Sequence, residues 1–180
     1  YFGRVSKIKL VSGIVKFYIS VMRGTPLMLQ LLVWYYAPYY LWGMNIGGYK
    51  LTAILLGCSL NYAAYFAEIY RSGIEAIPRG QYEAAAILGY SGQQTFFRII
   101  LPQMIKNVLP AVTNEVITLV KDTSLVYSLS YVEMFAVAKQ IAAAQTTVLP
   151  FFIAGVYYYI FNYVVAGVME LFEKKLNYYH

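Results

Sequence analysis

With 180 residues, 60% of them hydrophobic and only 12% charged, the chain has about half the charge of an ordinary soluble domain, where the share runs near 25%. A mean hydropathy of +0.55 and charges gathered into short stretches predict an all-α integral membrane protein. The net charge of +6 does not point to nucleic acid, because the Lys and Arg residues flank apolar runs instead of interleaving along one face.

Tyr1 to Ser12 is basic and mixed, with no apolar core of a cleavable signal peptide. Ile14 to Met22 is too short to span and is interrupted by Lys16, so it is predicted to be an interfacial or cytoplasmic helix leading into the turn Arg23-Gly24-Thr25-Pro26. A spanning helix needs about 20 mostly apolar residues, and four segments qualify: 26–43, 51–70, 107–128 and 148–169. In the first, Pro26 suits the opening turn, where its missing N–H has no partner to lose. Tyr39, Tyr40 and Trp42 end that span at an interface. The second holds the lone Cys58, a small core filler, and Asn61 and Glu68 two turns apart. Glu68, near the end of the span, suits a gate or a structural ion pair with Arg71.

The stretch 71–106 between the second and third spans is polar and amphipathic. Ile77-Pro78-Arg79-Gly80 reads as a turn with Pro78 ending the preceding helix, followed by a short helix from Gln81 to Leu88 that stops at Gly89. Ser91 with Gln94 is a capping-box signature opening a second helix, which is expected to turn at Leu101-Pro102 back into the membrane. Three alanines, Ala84 to Ala86, leave one side narrow enough for a close approach of backbone. The third span carries Asn114, Glu115, Thr118, Lys121, Asp122, Thr123 and Ser124, although an ionisable group within a span costs ~2.5–3.5 kcal/mol. At 3.6 residues per turn Glu115, Thr118 and Asp122 share one face, and Asn114, Thr118 and Lys121 an adjacent one. Pro110 predicts a kink with a freed carbonyl. The twenty tyrosines are read mainly as interface anchors, and the lone His180 cannot make a metal site.

Lys and Arg then set the orientation. Arg4, Lys7, Lys9, Lys16 and Arg23 precede the first span, Arg71, Arg79, Arg98 and Lys106 lie in the 71–106 loop, and Lys174 and Lys175 follow the last span. The opposite loops carry only Lys50 and Lys139, so eleven against two place both termini and the loop in the cytoplasm.

Residues 83–102 fit the pattern EAA-x3-G-x9-I-x-LP through Glu83-Ala84-Ala85, Gly89, Ile99 and Leu101-Pro102. That pattern resembles the cytoplasmic coupling loop of ABC importer permeases. Arg23-Gly24-Thr25-Pro26-Leu27 with Gln30 resembles RGTPL-x2-Q, and Glu68, Arg71, Gly73 and Ile74 before Gly80-Gln81 resemble E-x2-R-x-GI…GQ-x-EAA. Lys121-Asp122-Thr123-Ser124-Leu125 matches KDTSL, and Pro110 and Asn114 also fall in place. Together these are similar to the branch that takes up polar amino acids (histidine, arginine, glutamine). The resemblance implies a type I, MetI-like helix bundle in a bacterial or archaeal inner membrane, in one domain over 1–180, with four spans here and the family's first span without a counterpart. It implies two cytoplasmic ABC ATPase subunits, a second permease subunit, identical or related, and an extracellular amino-acid-binding protein, with the lipid bilayer around them and no nucleic acid.

ATP and Mg belong to the ATPases, since the sequence holds no G-x4-GK[ST] motif and no nucleophile–base pair. The chain is thus expected to be a transport subunit and not an enzyme, with no cofactor and no metal of its own. Within that frame Arg79, Gly80, Glu83, Ala84, Ala85 and Gly89 are the ATPase-coupling residues, with Glu83 available to a cation on the partner. For the cargo, an ammonium group needs acceptors such as Glu115 or Asn114, and a carboxylate needs donors such as Thr118 or backbone N–H. Asp122 and Asn61 complete the candidate substrate set, although for Lys121 and Asp122 a pairing with other helices is the preferred reading. A carrier or channel for small polar solutes with no ATPase is the alternative.

Overall fold

The computed structural model describes residues 9–176, all in helices, turns and short connections. Arg4, Lys7 and His180 lie outside that range. Helix α1 (Lys9–Gly24) buries Ile19 and exposes Leu10, Ile14 and Phe17 on an apolar outer face. It is tied down by Tyr18, whose hydroxyl donates to the Leu60 carbonyl.

Helices α2 (Leu27–Trp42) and α3 (Lys50–Glu75) follow, and α1, α2 and α3 meet at the turn between the first two. There Gln30, 8% exposed, donates from Nε2 to the Met22 carbonyl (2.9 Å) and to Thr25 Oγ1 (2.7 Å). Its Oε1 accepts from Asn61 Nδ2 (2.9 Å), which also donates to the Met22 carbonyl (3.0 Å). Two amides from α2 and α3 thus satisfy carbonyls that the end of α1 leaves open. Gly57 lets α2 and α3 close up, since a Cβ there would lie 2.8 Å from Leu31 Cδ2 and 3.1 Å from Trp34 Cδ1. The core beside this contact is Leu27, Leu31, Ile54, Tyr62, Val126 and Leu129.

Past the short helix α4 (Arg79–Ile87), the chain enters one long helical rod. It starts at α5 (Gly92–Thr95), widens into a π segment (Phe96–Ile100) and continues as α6 (Leu101–Asp122) and a 3-10 stretch (Thr123–Leu129). The expected turn at Leu101-Pro102 does not occur. Pro102 has no N–H to offer the Arg98 carbonyl, and the helix absorbs this by widening, with Leu101 N–H donating to the Phe96 carbonyl five residues back. Gly73 of α3 sets the rod's closest approach: a Cβ there would fall 2.1 Å from Val108 Cγ1 and 3.2 Å from Met104 Cγ.

Helix α7 (Met134–Gln145) was not expected. Its N-cap is Glu133, whose carboxylate accepts from Phe135 N–H (2.7 Å) and Ala136 N–H (2.6 Å). Helix α8 (Leu149–Leu176) closes the chain.

The expected spans coincide with helices at 27–42, 50–75, 101–122 with its 3-10 extension, and from 149. Among the described residues one helix, Leu149–Lys175, is long and apolar enough by itself to cross a membrane. Helix α2 has 16 residues, about 24 Å of rise against a hydrocarbon core of about 30 Å. Polar side chains dilute α3 and α6.

Glycine-to-alanine exchange tests the close approach. In a helix interior it normally gains up to about 1 kcal/mol, and Gly13→Ala, with nothing within 4 Å, is expected to be neutral or stabilising. Gly73→Ala is expected to cost about 1–3 kcal/mol by overpacking, read as a lowered melting temperature of the detergent-solubilised protein. Gln30→Ala, by stranding buried carbonyls and the Asn61 amide, is expected to cost about 1–3 kcal/mol in the same measurement.

Candidate functional site

Two regions carry chemistry, one at each end of the long rod. The first is the elbow formed by α4, Gly89 and α5. Pro78 precedes the first turn of α4 with φ −57° and ψ 138°, so it starts this helix; α3 has already ended at Glu75. At the other end Gly89 has φ +73°, a left-handed conformation that costs a residue with a Cβ about 1–2 kcal/mol. Tyr90 N–H donates to the Ala85 carbonyl and Gly89 N–H to the Ala86 carbonyl, the six-to-one and five-to-two closure of a helix C-terminus. Ser91 then caps α5 reciprocally, its N–H donating to Gln94 Oε1 (2.9 Å) and its Oγ accepting from Gln94 N–H (3.3 Å).

Of the three alanines only Ala85 is buried, at 0% exposure, and Thr95 on the second arm is buried as well. Arg79, Gly80, Glu83, Ala84 and Gly89 lie exposed. The sequence reading missed the apolar residues beside them: Ile87 is 88% exposed, Leu88 71% and Phe97 63%. They leave apolar surface exposed beside the capped elbow. Their signal was available, because Ile87 and Leu88 precede the stop residue Gly89 and cannot both face the α4–α5 contact that Ala85 occupies.

The second region is the polar face of α6. Asn114 and Thr118 are exposed and Glu115 and Asp122 half-buried. Thr118 Oγ1 donates to the Asn114 carbonyl (2.8 Å), so these two residues are linked within one turn. Asp122 Oδ2 accepts from Tyr62 Oη of α3 (2.8 Å), which gives it a helix-pairing contact. Asn61 is 4% exposed, and its Nδ2 is committed to Gln30 and Met22. The structure therefore places Asn61 in the clamp at the end of α1 and gives it a helix-packing task. Lys121 is exposed at the end of α6.

Between the two regions Glu68 forms a carboxylate–guanidinium pair with Arg71, Oε2 accepting from Nη2 (2.7 Å) and Nε (3.0 Å). Arg71 also binds Glu75, and Arg23 stands 4.0 Å from Glu68 and 5.3 Å from the centre of the Tyr65 ring. This is the expected ion pair, extended into a ladder across α1 and α3. Among the described residues no cluster of His, Cys, Asp or Glu could hold a metal ion.

A helical bundle with a capped elbow at one end of a polar rod is the build of a membrane component of a transport system. Residues 1–178 match the family described as the binding-protein-dependent transport system inner membrane component, and the chain belongs to that family. The arginine transport system permease protein ArtQ of Bacillus subtilis is 38% identical over 175 residues, covering 97% of this chain and 79% of the relative. The L-cystine transport system permease protein TcyB of the same organism is 34% identical over 180 residues, covering 98% and 75%. A putative glutamine transport system permease protein GlnP of Rickettsia felis is 35% identical, covering 96% and 79%. Among solved structures, an amino acid ABC transporter crystallised with histidines superposes with a TM-score of 0.85 at 34% identity, covering 97% of this chain and 80% of that one. The fold is thus that of the MetI-like ABC importer permeases. Such a permease works with an ATPase and a substrate-binding protein.

Gly89 gives this site its test. Gly89→Val is expected to strain the elbow by about 1–2 kcal/mol and to speed amide hydrogen exchange across 84–95, leaving α8 unchanged.

Proposed function

We propose that this chain is the permease subunit of an ATP-driven importer of polar amino acids, with a preference for cationic ones. The observation that carries it is the pairing, on one continuous rod, of an exposed elbow with a face that offers Asn114, Glu115 and Thr118. Relatives named for arginine, glutamine and cystine support an amino-acid cargo. Glu115 and the Asn114 carbonyl side supply acceptors for an ammonium group, and a carboxylate at that depth favours a second cation on the cargo side chain. Thr118 Oγ1 donates to the Asn114 carbonyl in this state. It becomes a donor to the cargo carboxylate by leaving that bond, so that cargo binding and local helix geometry are linked.

Two copies, or this chain and a related one, enclose the path across a bacterial or archaeal inner membrane, each lending its α6 face. Two cytoplasmic ATPase subunits receive the elbows, with Ile87, Leu88 and Phe97 filling an apolar cleft and Glu83 meeting a cation at its rim, while Arg79, Gly80, Ala84 and Ala85 shape the contact. An extracellular binding protein delivers the amino acid. Closure of the ATPases on ATP presses the elbows together and opens the path outward, and hydrolysis returns it inward, which is alternating access.

Two sets of variants separate the ends. Leu88→Asp with Glu83→Arg is expected to abolish uptake and substrate-stimulated ATP hydrolysis in proteoliposomes while membrane insertion persists. Survival of both activities would remove the coupling role. Glu115→Gln is expected to weaken arginine uptake by about 10-fold or more, the loss of one charge-assisted contact, with basal ATP hydrolysis intact. Competition among arginine, histidine, glutamine and glutamate for uptake gives the cargo class, and a preference for glutamate would overturn the cationic assignment.

A further inference from the structure

We infer that the groove at the root of the elbow, where Arg98 of the π segment and Lys106 of α6 converge with Gln81 of α4, binds a phosphate-bearing anion, supplied by the headgroup of an acidic phospholipid. The groove has a volume of about 880 Å³ and is lined by Ile77, Pro78, Gln81, Arg98, Ile99, Pro102, Gln103, Lys106 and Asn107. Two of these side chains are cationic, three are neutral amides and none is a carboxylate.

The chemistry of that set selects its ligand. A guanidinium presents a planar fork matched to phosphate oxygens and an ammonium adds a point charge. Arg98 and Lys106 are eight residues apart, about 12 Å of helical rise, and their long side chains can meet over one headgroup from either side of Pro102. The amides are lightly committed: Gln103 Nε2 donates to Gln81 Oε1 at 3.3 Å and to the Ile99 carbonyl at 2.9 Å. The first of these is a long bond that an anionic oxygen can replace. The remaining walls decide between a lipid and a soluble phosphate. Pro78, Ile99 and Pro102, backed by the buried Ile77, continue the groove in apolar surface, which suits a glycerol backbone and the first carbons of acyl chains and gives free phosphate no added contact. Basic pockets on the cytoplasmic side of a membrane protein hold acidic headgroups in this way. The inference rests on the proposed cytoplasmic placement of the elbow.

A lipid at this point bridges α4 to the rod, so that headgroup binding and elbow geometry are coupled. The test uses the transporter complex purified with its ATPases in mild detergent, incubated with phosphatidylglycerol or phosphatidylcholine, and analysed by native mass spectrometry. Arg98→Gln with Lys106→Gln is expected to lose about 10- to 30-fold in phosphatidylglycerol retention, with phosphatidylcholine unchanged. Arg98→Lys with Lys106→Arg retains most of the binding, and Lys174→Gln with Lys175→Gln retains all of it. Wild-type phosphatidylglycerol retention by the doubly neutralised complex overturns the site. Displacement of phosphatidylglycerol by millimolar inorganic phosphate in the wild type, with phosphate itself held, overturns the lipid source. The orientation is tested apart from this: Gln93→Cys is expected to react with an impermeant maleimide in inside-out vesicles only. Labelling from the outer face would sink the cytoplasmic placement, a failure distinct from loss of lipid selectivity.

Discussion

Everything in this bundle hangs on finding partners for backbone carbonyls where α1 stops and α2 begins. In apolar surroundings an unsatisfied carbonyl costs more than any single side-chain contact returns. The chain answers with Gln30 and Asn61, two buried amides that reach the same Met22 carbonyl and bind each other. Because the two amides belong to different helices, satisfying the turn also fixes the register of α3 against α2. The glycine contact at Gly57 and the core around Leu31 and Ile54 are built on that register.

The same requirement explains the rod. A proline at 102 removes a donor that the helix cannot spare, and the π segment restores pairing by reaching one residue further back. The helix therefore runs on through the position where a turn was expected. The second arm of the elbow and the polar face are parts of one element as a result, so a displacement of one is transmitted to the other along a continuous helix. At the far end Glu133 caps α7 with both carboxylate oxygens and also receives Tyr158 Oη at 3.3 Å, fastening α7 to α8.

Much of the site was legible in the sequence, and the failures have definite causes. Gly89 and Ser91 announce themselves by residue type, since few other residues fit a left-handed stop or a reciprocal cap. The Glu68–Arg71 pair follows from helical spacing alone. The packing contact of Asn61 was not legible because its partner, Gln30, is 31 residues away, and no local pattern reports such a pairing. Helix α7 was missed because its cap is a glutamate, outside the usual N-cap residues, and because its alanine-rich stretch has no strong polar–apolar period. The turn at Leu101-Pro102 was wrongly expected for a related reason: proline marks a break only when the helix cannot widen around it.

Gly73 gives the rod a fulcrum. With Val108 held against the α3 backbone, the arm to Gln94 in the elbow is about 20 Å long and the arm to Thr118 about 15 Å. Beyond that contact the rod is held a second time, by Tyr62 at Asp122 and by Val126 and Leu129 in the core, so a load at the elbow acts on a bar held at two points. Pro110, two residues beyond Val108, lies between the two holds and removes one helical hydrogen bond there, which makes it the place where such a bar bends most easily.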